Sequence, residues 1–129
     1  MATSLKSLSD VQISQSLDLS SKKFAVVVSE YNAQITEPLY EGAVETLVAH
    51  GAQPQHIIKK YVPGAYELSL GAQYMAQMPQ IDAVICLGCV IQGETKHFDF
   101  ICDAVAHGIT QVALKYNKPV IFGVLTPNT

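Results

Sequence analysis

Charge is scarce in this chain: Asp, Glu, Lys and Arg make up 15% of its 129 residues, and the net charge is -3. The eight Lys and Arg form neither a run nor a basic face, so nothing is available to neutralise a row of phosphates and nucleic acid is not an expected partner. Long apolar stretches are missing too. None approaches the ~20 residues that a bilayer span requires, and the N-terminus has neither the apolar core nor the cleavage pattern of a signal peptide. No membrane association is expected, and a cytoplasmic location is. Cysteine is sparse, with Cys86, Cys89 and Cys102 unable all to pair, so reduced thiols are expected. Cys86 and Cys89 form a C-x-x-C, but they lie in a strand-like run rather than at the start of a helix, and there is no second pair to complete a zinc site. Buried structural thiols and no metal follow.

What is present is apolar: 49% of residues are hydrophobic, enough for one well-packed domain and an apolar surface suited to an oligomer. Residues 1–23, rich in Ser, Gln and Asp, have the composition of a tail or of an arm that orders only against a partner. Residues 24–129 hold the domain. Phe24 to Val28 is a continuous β-branched run that suits a strand buried on both faces. Thr36 can cap a helix with Tyr40, Ala43, Val44, Leu47 and Val48 on one face, ended by Gly51. Ile57 to Val62 is a second strand, placed at a sheet edge by Lys59 and Lys60. Glu67 to Met78 reads as a helix with Leu68, Ala72, Met75 and Ala76 facing in. Asp82 to Ile91 is the longest apolar run and needs a central place. From Phe98 the periodicity of Ile101, Cys102, Val105, Ile109, Val112 and Tyr116 marks a long amphipathic helix, and Val120 to Leu125 is a fourth strand.

Strands alternating with helices require right-handed crossovers and a parallel sheet covered on both faces. The expected architecture is a flavodoxin-like, three-layer α/β sandwich with strand order 2-1-3-4. No helix follows the fourth strand to cover one of its sides, so a C-terminal helical segment is expected to be missing.

Ligands of open parallel sheets bind outside the carboxyl ends of the strands, which directs attention to the segments that follow them. Tyr31 follows the first strand and can stack on a flat heterocycle or pack in the core. Glu67 opens a helix after Pro63-Gly64, where its carboxylate can accept from polyol hydroxyls or offset the helix dipole. Gly93-Glu94-Thr95-Lys96-His97 leads into the long helix and offers either an anion site or ordinary capping by Thr95. His97 is a candidate proton carrier, since imidazole titrates near neutral pH. Aromatic, carboxylate, anion site and histidine all fall on one edge of one sheet.

Four segments in order then resemble the lumazine synthase family: Ser29 to Thr36, Val62 to Leu68, Leu87 to Asp99, and Val120 to Thr126. The resemblance implies a cofactor-free condensation of 5-amino-6-(ribitylamino)uracil with 3,4-dihydroxy-2-butanone 4-phosphate, through an imine, loss of inorganic phosphate and ring closure. It implies stacking by Tyr31, and binding of the ribityl-bearing substrate by Ala65, Tyr66 and Glu67. Cys89, Val90 and Ile91 would line the ring site, Glu94 and Thr95 would bind phosphate, and His97 would transfer protons. Family members form homopentamers and sometimes icosahedral shells, so Phe122 would reach a neighbouring subunit's site and the N-terminal arm would join its sheet. Gln92 stands where many members have Arg, and Glu94 adds a negative charge beside the phosphate position. The family's later helices carry an Arg and a Lys that contact the phosphate and have no match here; one such charge-assisted contact is worth roughly 1.5 to 3 kcal/mol. Two readings from other classes stand beside the enzyme: a flavin-type binding module, and an inactive fragment or structural shell subunit.

Overall fold

A computed structural model of the chain describes residues 17–129. Four strands, β1 (Phe24–Ser29), β2 (Ile57–Val62), β3 (Ala83–Cys89) and β4 (Val120–Leu125), alternate with three helices, α1 (Ala33–Ala49), α2 (Leu68–Ala76) and α3 (His97–Tyr116). All pairings are parallel and the sheet order is β2-β1-β3-β4, as the edge lysines and the long apolar run require. Every residue of β1 is buried, which fits its place between two neighbours. In the outer strand β2, Lys59 lies against the sheet edge in an ion pair with Glu37 at 2.8 Å, with its ammonium 4.1 Å from the centre of the Tyr40 ring. A lysine whose charge is matched in this way costs little at an edge and blocks none of the ladder.

The two faces of the sheet are unequally covered. Ala25, Val27, Val84, Cys86 and Val124 meet Leu68, Ala72 and Ala76 of α2 and Val105, Ile109 and Val112 of α3 in the main core. On the opposite face Val26, Val28 and Leu87 pack with Leu39, Tyr40 and Ala43 of α1, the one helix described there. The apolar side chains of Ile121 and Leu125 on β4 are about half exposed.

Three expectations are corrected in detail. Helix α1 begins a turn earlier than Thr36, because Asn32 takes the left-handed conformation (φ 63°) at the cap position. Thr36 is instead fully buried inside the helix, where its hydroxyl donates to the Ser29 carbonyl at 2.9 Å and so finishes β1 rather than starting α1. Val48, expected on the inward face, is 39% exposed, and the α1-side core is met instead by Leu39, Tyr40 and Ala43, nearer the start of the helix. Strand β3 ends at Cys89, and Val90 leaves the ladder to donate its N–H to the Leu125 carbonyl. Of the proposed N-terminal arm, residues 1–16 lie outside the described residues; Leu19 donates to the His50 carbonyl and Lys23 to the Asp82 carboxylate.

Candidate active site

The carboxyl ends of the strands are joined sideways. Glu30 donates its N–H to the Val62 and Pro63 carbonyls and Tyr31 donates to Pro63, which locks the turn after β1 to the turn after β2. Gln92 donates to Pro127 beyond the Val90–Leu125 bond, which locks the turn after β3 to the end of β4. Between these locked turns lies a cavity of about 530 Å³ lined by Tyr31, Asn32, Gly64, Ala65, Tyr66, Glu67, Cys89, Val90, Ile91, His97 and Ile101. Its size and its mix of apolar wall with a few polar groups suit a small-molecule site.

Each side chain is held there by a local cause. Tyr31 stands 66% exposed on the turn, its ring lying along Gly64; a Cβ built on Gly64 would sit 2.8 Å from Tyr31 Cδ2. Glycine at this point lets the ring lie flat against backbone. Glu67 closes a short 3-10 turn, Ala65–Glu67, and its Oε1 accepts the Gly64 N–H at 2.9 Å. That bond fixes one carboxylate oxygen, and the residue also lines the cavity. Cys89 is buried at the end of β3, where desolvation pushes its thiol above the usual range. His97 is the first residue of α3, and its N–H donates to Thr95 Oγ at 3.3 Å; the cap position itself is taken by Lys96, with no side-chain cap bond, so Thr95 lies one residue too early to cap the helix.

Tyr31, Ala65, Tyr66, Glu67, Cys89, Val90, Ile91 and His97 are thus gathered in one cavity. Glu94, Thr95 and Phe122 do not line it. Glu94 and Thr95 lie on the exposed approach to α3, and Phe122 sits on the outer strand β4, 44% exposed and paired with Cys86. Three lining residues had no role assigned from the sequence. Asn32 is within a quoted motif and its cap propensity was the available signal; Gly64 stood out only as half of a turn; Ile101 was read as helix stripe, which it also is. Among the described residues, no group of three His, Cys, Asp or Glu could hold a metal ion, and no helix is long and apolar enough to cross a membrane.

Fold and cleft together define an α/β protein with a small-molecule-sized cleft at the carboxyl edge of its parallel sheet and a histidine at the start of the helix beside it. Comparison with known proteins narrows the class. The family model for 6,7-dimethyl-8-ribityllumazine synthase matches residues 21–129. A 6,7-dimethyl-8-ribityllumazine synthase of Cytophaga hutchinsonii is 67% identical over 109 residues, covering 84% of this chain and 69% of the relative. Those of Parabacteroides distasonis and Porphyromonas gingivalis are 46% and 44% identical over 129 residues, covering all of this chain and 81% and 80% of the relatives. The chain belongs to the 6,7-dimethyl-8-ribityllumazine synthase family.

Proposed function

We propose that this chain condenses 5-amino-6-(ribitylamino)uracil with 3,4-dihydroxy-2-butanone 4-phosphate to give 6,7-dimethyl-8-ribityllumazine, inorganic phosphate and water, the penultimate step of riboflavin biosynthesis. The observation that carries it is the single cavity that brings an exposed tyrosine ring, a tethered carboxylate, a main-chain wall and a histidine together from four separate segments. Tyr31 offers a face on which the pyrimidine stacks. The free acceptor capacity of Glu67, together with Ala65 and Tyr66, receives the ribityl hydroxyls, and Cys89, Val90 and Ile91 hold the ring edge through backbone groups and apolar contact. The amine adds to the ketone and water leaves to form the imine. Phosphate then departs, and the second amine closes the ring with loss of another water. A His97 ring nitrogen takes and returns the protons of these steps. No oxidation state changes overall, so side chains that bind and move protons suffice.

The anion half of the site rests on Glu94 and Thr95, through their backbone N–H groups, the Thr95 hydroxyl and the N-terminus of α3. Phe122 is proposed to reach a neighbouring copy's cavity, which agrees with its exposure and with its place away from the cavity of its own chain. The working unit is then a homo-oligomer, a pentamer or a shell of pentamers, located in the cytoplasm. Residues 24–129 serve in it as the domain.

The test is to mix the chain with both substrates and follow lumazine absorbance against an enzyme-free reaction and the His97→Ala variant. A rate above background that drops in the variant supports enzyme and histidine together. A rate equal to background rejects catalysis by this chain, and an unchanged rate in the variant rejects the role of His97.

A further inference from the structure

Asn32 stands at the cap of α1, yet its side chain does nothing for that helix. An asparagine at this position ordinarily turns its side-chain oxygen back to a backbone N–H of the first turn. Here no such bond is made. The helix start is served by the Asn32 backbone, whose carbonyl accepts from Ile35 at 2.9 Å and from Thr36 at 3.1 Å. The side-chain amide instead crosses to the other side of the cleft, where Nδ2 donates to the Cys89 carbonyl at 3.2 Å, 57 residues away in sequence. Cys89 is the last residue of β3, and the next N–H, that of Val90, is already taken by Leu125. The Cys89–Ile91 wall is therefore held from both sides, by β4 through Val90 and by the β1–α1 turn through Asn32.

Tyr31 is the residue just before Asn32, and its own backbone N–H is fixed to Pro63. The dipeptide Tyr31-Asn32 thus ties the stacking ring to the turn after β2 and to the end of β3 at once. The left-handed backbone of Asn32 (φ 63°, ψ 44°) makes this geometry reachable, and asparagine and glycine are the residues that adopt it most readily. We infer that Asn32 is a positioning residue for the ring substrate: its amide sets the spacing between the Tyr31 ring and the Cys89–Ile91 wall, and so the width of the slot that receives a flat heterocycle. The inference rests on the proposed function, since it assigns the slot to the aminouracil and the lumazine.

Asn32→Gly keeps the left-handed turn and removes the amide, and Asn32→Asp keeps shape and turn but cannot donate to a carbonyl. Binding of 6,7-dimethyl-8-ribityllumazine is measured by fluorescence titration, alongside thermal unfolding and the KM for each substrate. Both variants are expected to bind the lumazine roughly threefold to tenfold more weakly, the range of one neutral hydrogen bond. The KM for the aminouracil rises in parallel while that for the butanone phosphate stays at the wild-type value, and Asn32→Gly unfolds within a few degrees of wild type. A merely structural role would lower the unfolding temperature without separating the two KM values. Wild-type affinity in Asn32→Gly, or an equal rise in both KM values, overturns the inference while the wild-type rate upholds the proposed function. A wild-type chain that neither binds the lumazine nor makes it removes both.

Discussion

Replacing Gly64 by alanine adds one methyl group at the point where the cavity floor meets the stacking ring. The backbone there is extended (φ -137°, ψ -178°), so alanine is free of conformational strain and gains ~0.4–1 kcal/mol from a more restricted unfolded chain. The new Cβ would lie 2.8 Å from Tyr31 Cδ2 and 3.2 Å from Cε2. Carbon atoms pack at about 3.5–4.0 Å, so the ring must retreat by more than half an ångström or swing away. Tyr31 is 66% exposed and has open space to move into, so the protein should yield at the side chain rather than at the backbone. Stability is then expected to change by no more than about 1 kcal/mol, a shift of roughly 5 °C or less in Tm for a chain of this size. Binding should suffer more. An aromatic stack on a base is worth about 1–3 kcal/mol, and losing part of it raises the KM for the aminouracil roughly threefold to tenfold. Steady-state kinetics with each substrate varied in turn, together with a thermal melt, separates the two effects. An unchanged KM for the aminouracil would mean that the ring does not stack on substrate, and a fall in Tm beyond about 10 °C would mean that the clash is borne by the backbone.

Gly123→Ala should behave in the opposite way, because its Cβ would meet the Cys86 carbonyl oxygen, backbone of the central strand, at 2.8 Å; a loss of about 1–3 kcal/mol is expected in chemical denaturation, and a neutral result would show that β4 can slide outward. Burial pushes the Cys86 thiol up to about 12, so at pH 8 only on the order of one molecule in 10⁴ carries the thiolate. Maleimide should therefore label the partly exposed Cys102 in the native protein and reach Cys86 only after denaturation, which mass spectrometry reads directly; equally fast labelling of both would refute the buried placement. Hydrogen bonds from Lys59 and Tyr61 hold the Glu37 carboxyl below its ordinary 4.5, and its contribution to stability is present above that value and lost as pH falls through the lowered one. For Lys59 burial works against the charge, but the bonds to Glu37 and Tyr61 outweigh it and hold the amine above 10.5, so that contribution is present below 10.5 and lost as pH rises through the raised value. The stability gap between wild type and Lys59→Met should be flat near neutrality and close at both extremes, and a gap independent of pH would contradict the ion pair.

Sheet order was legible because two residues decided it. A pair of lysines in an otherwise apolar run is tolerable only at an edge, and the run without a polar face belongs in the middle, which leaves little freedom for four strands. Cap positions were less legible for a physical reason. Thr36 and Asn32 are both good cap residues, and the choice between them depended on whether the end of β1 needed a donor for its last carbonyl, a tertiary fact with no local signature. The cavity residues could be found because topology alone sends the ends of parallel strands to one edge, where residue chemistry picked out Tyr31, Glu67 and His97, and the family motifs then added Ala65, Tyr66, Cys89, Val90 and Ile91. Asn32 escaped assignment because its partner Cys89 is distant in sequence, and a hydrogen bond between remote segments leaves no periodicity to read.

The distribution of those bonds bears on how the site tolerates change. Stability resides in the core between the sheet and α2 and α3, which contains thirteen buried residues against three on the α1 side, so the lower part of the domain is set by apolar packing. The cavity rim depends on few of those contacts. Tyr31, Tyr66 and Ile91 are exposed; Tyr31 is placed by its lateral bond to Pro63, and Ile91 lies between Val90 and Gln92, which bond to Leu125 and Pro127. A substitution in the core should therefore lower stability while leaving the geometry of the surviving folded molecules intact, whereas a substitution in the rim should move geometry at little cost in stability. The rim bonds also form a chain, from Pro63 through Tyr31 and Asn32 to Cys89, and from Val90 to Leu125, so a change at one turn has a short path to the next. Coupling between Gly64→Ala and Asn32→Gly in the double variant would exceed the sum of the single effects on aminouracil KM if that path carries strain, because each change loosens the same slot from a different side.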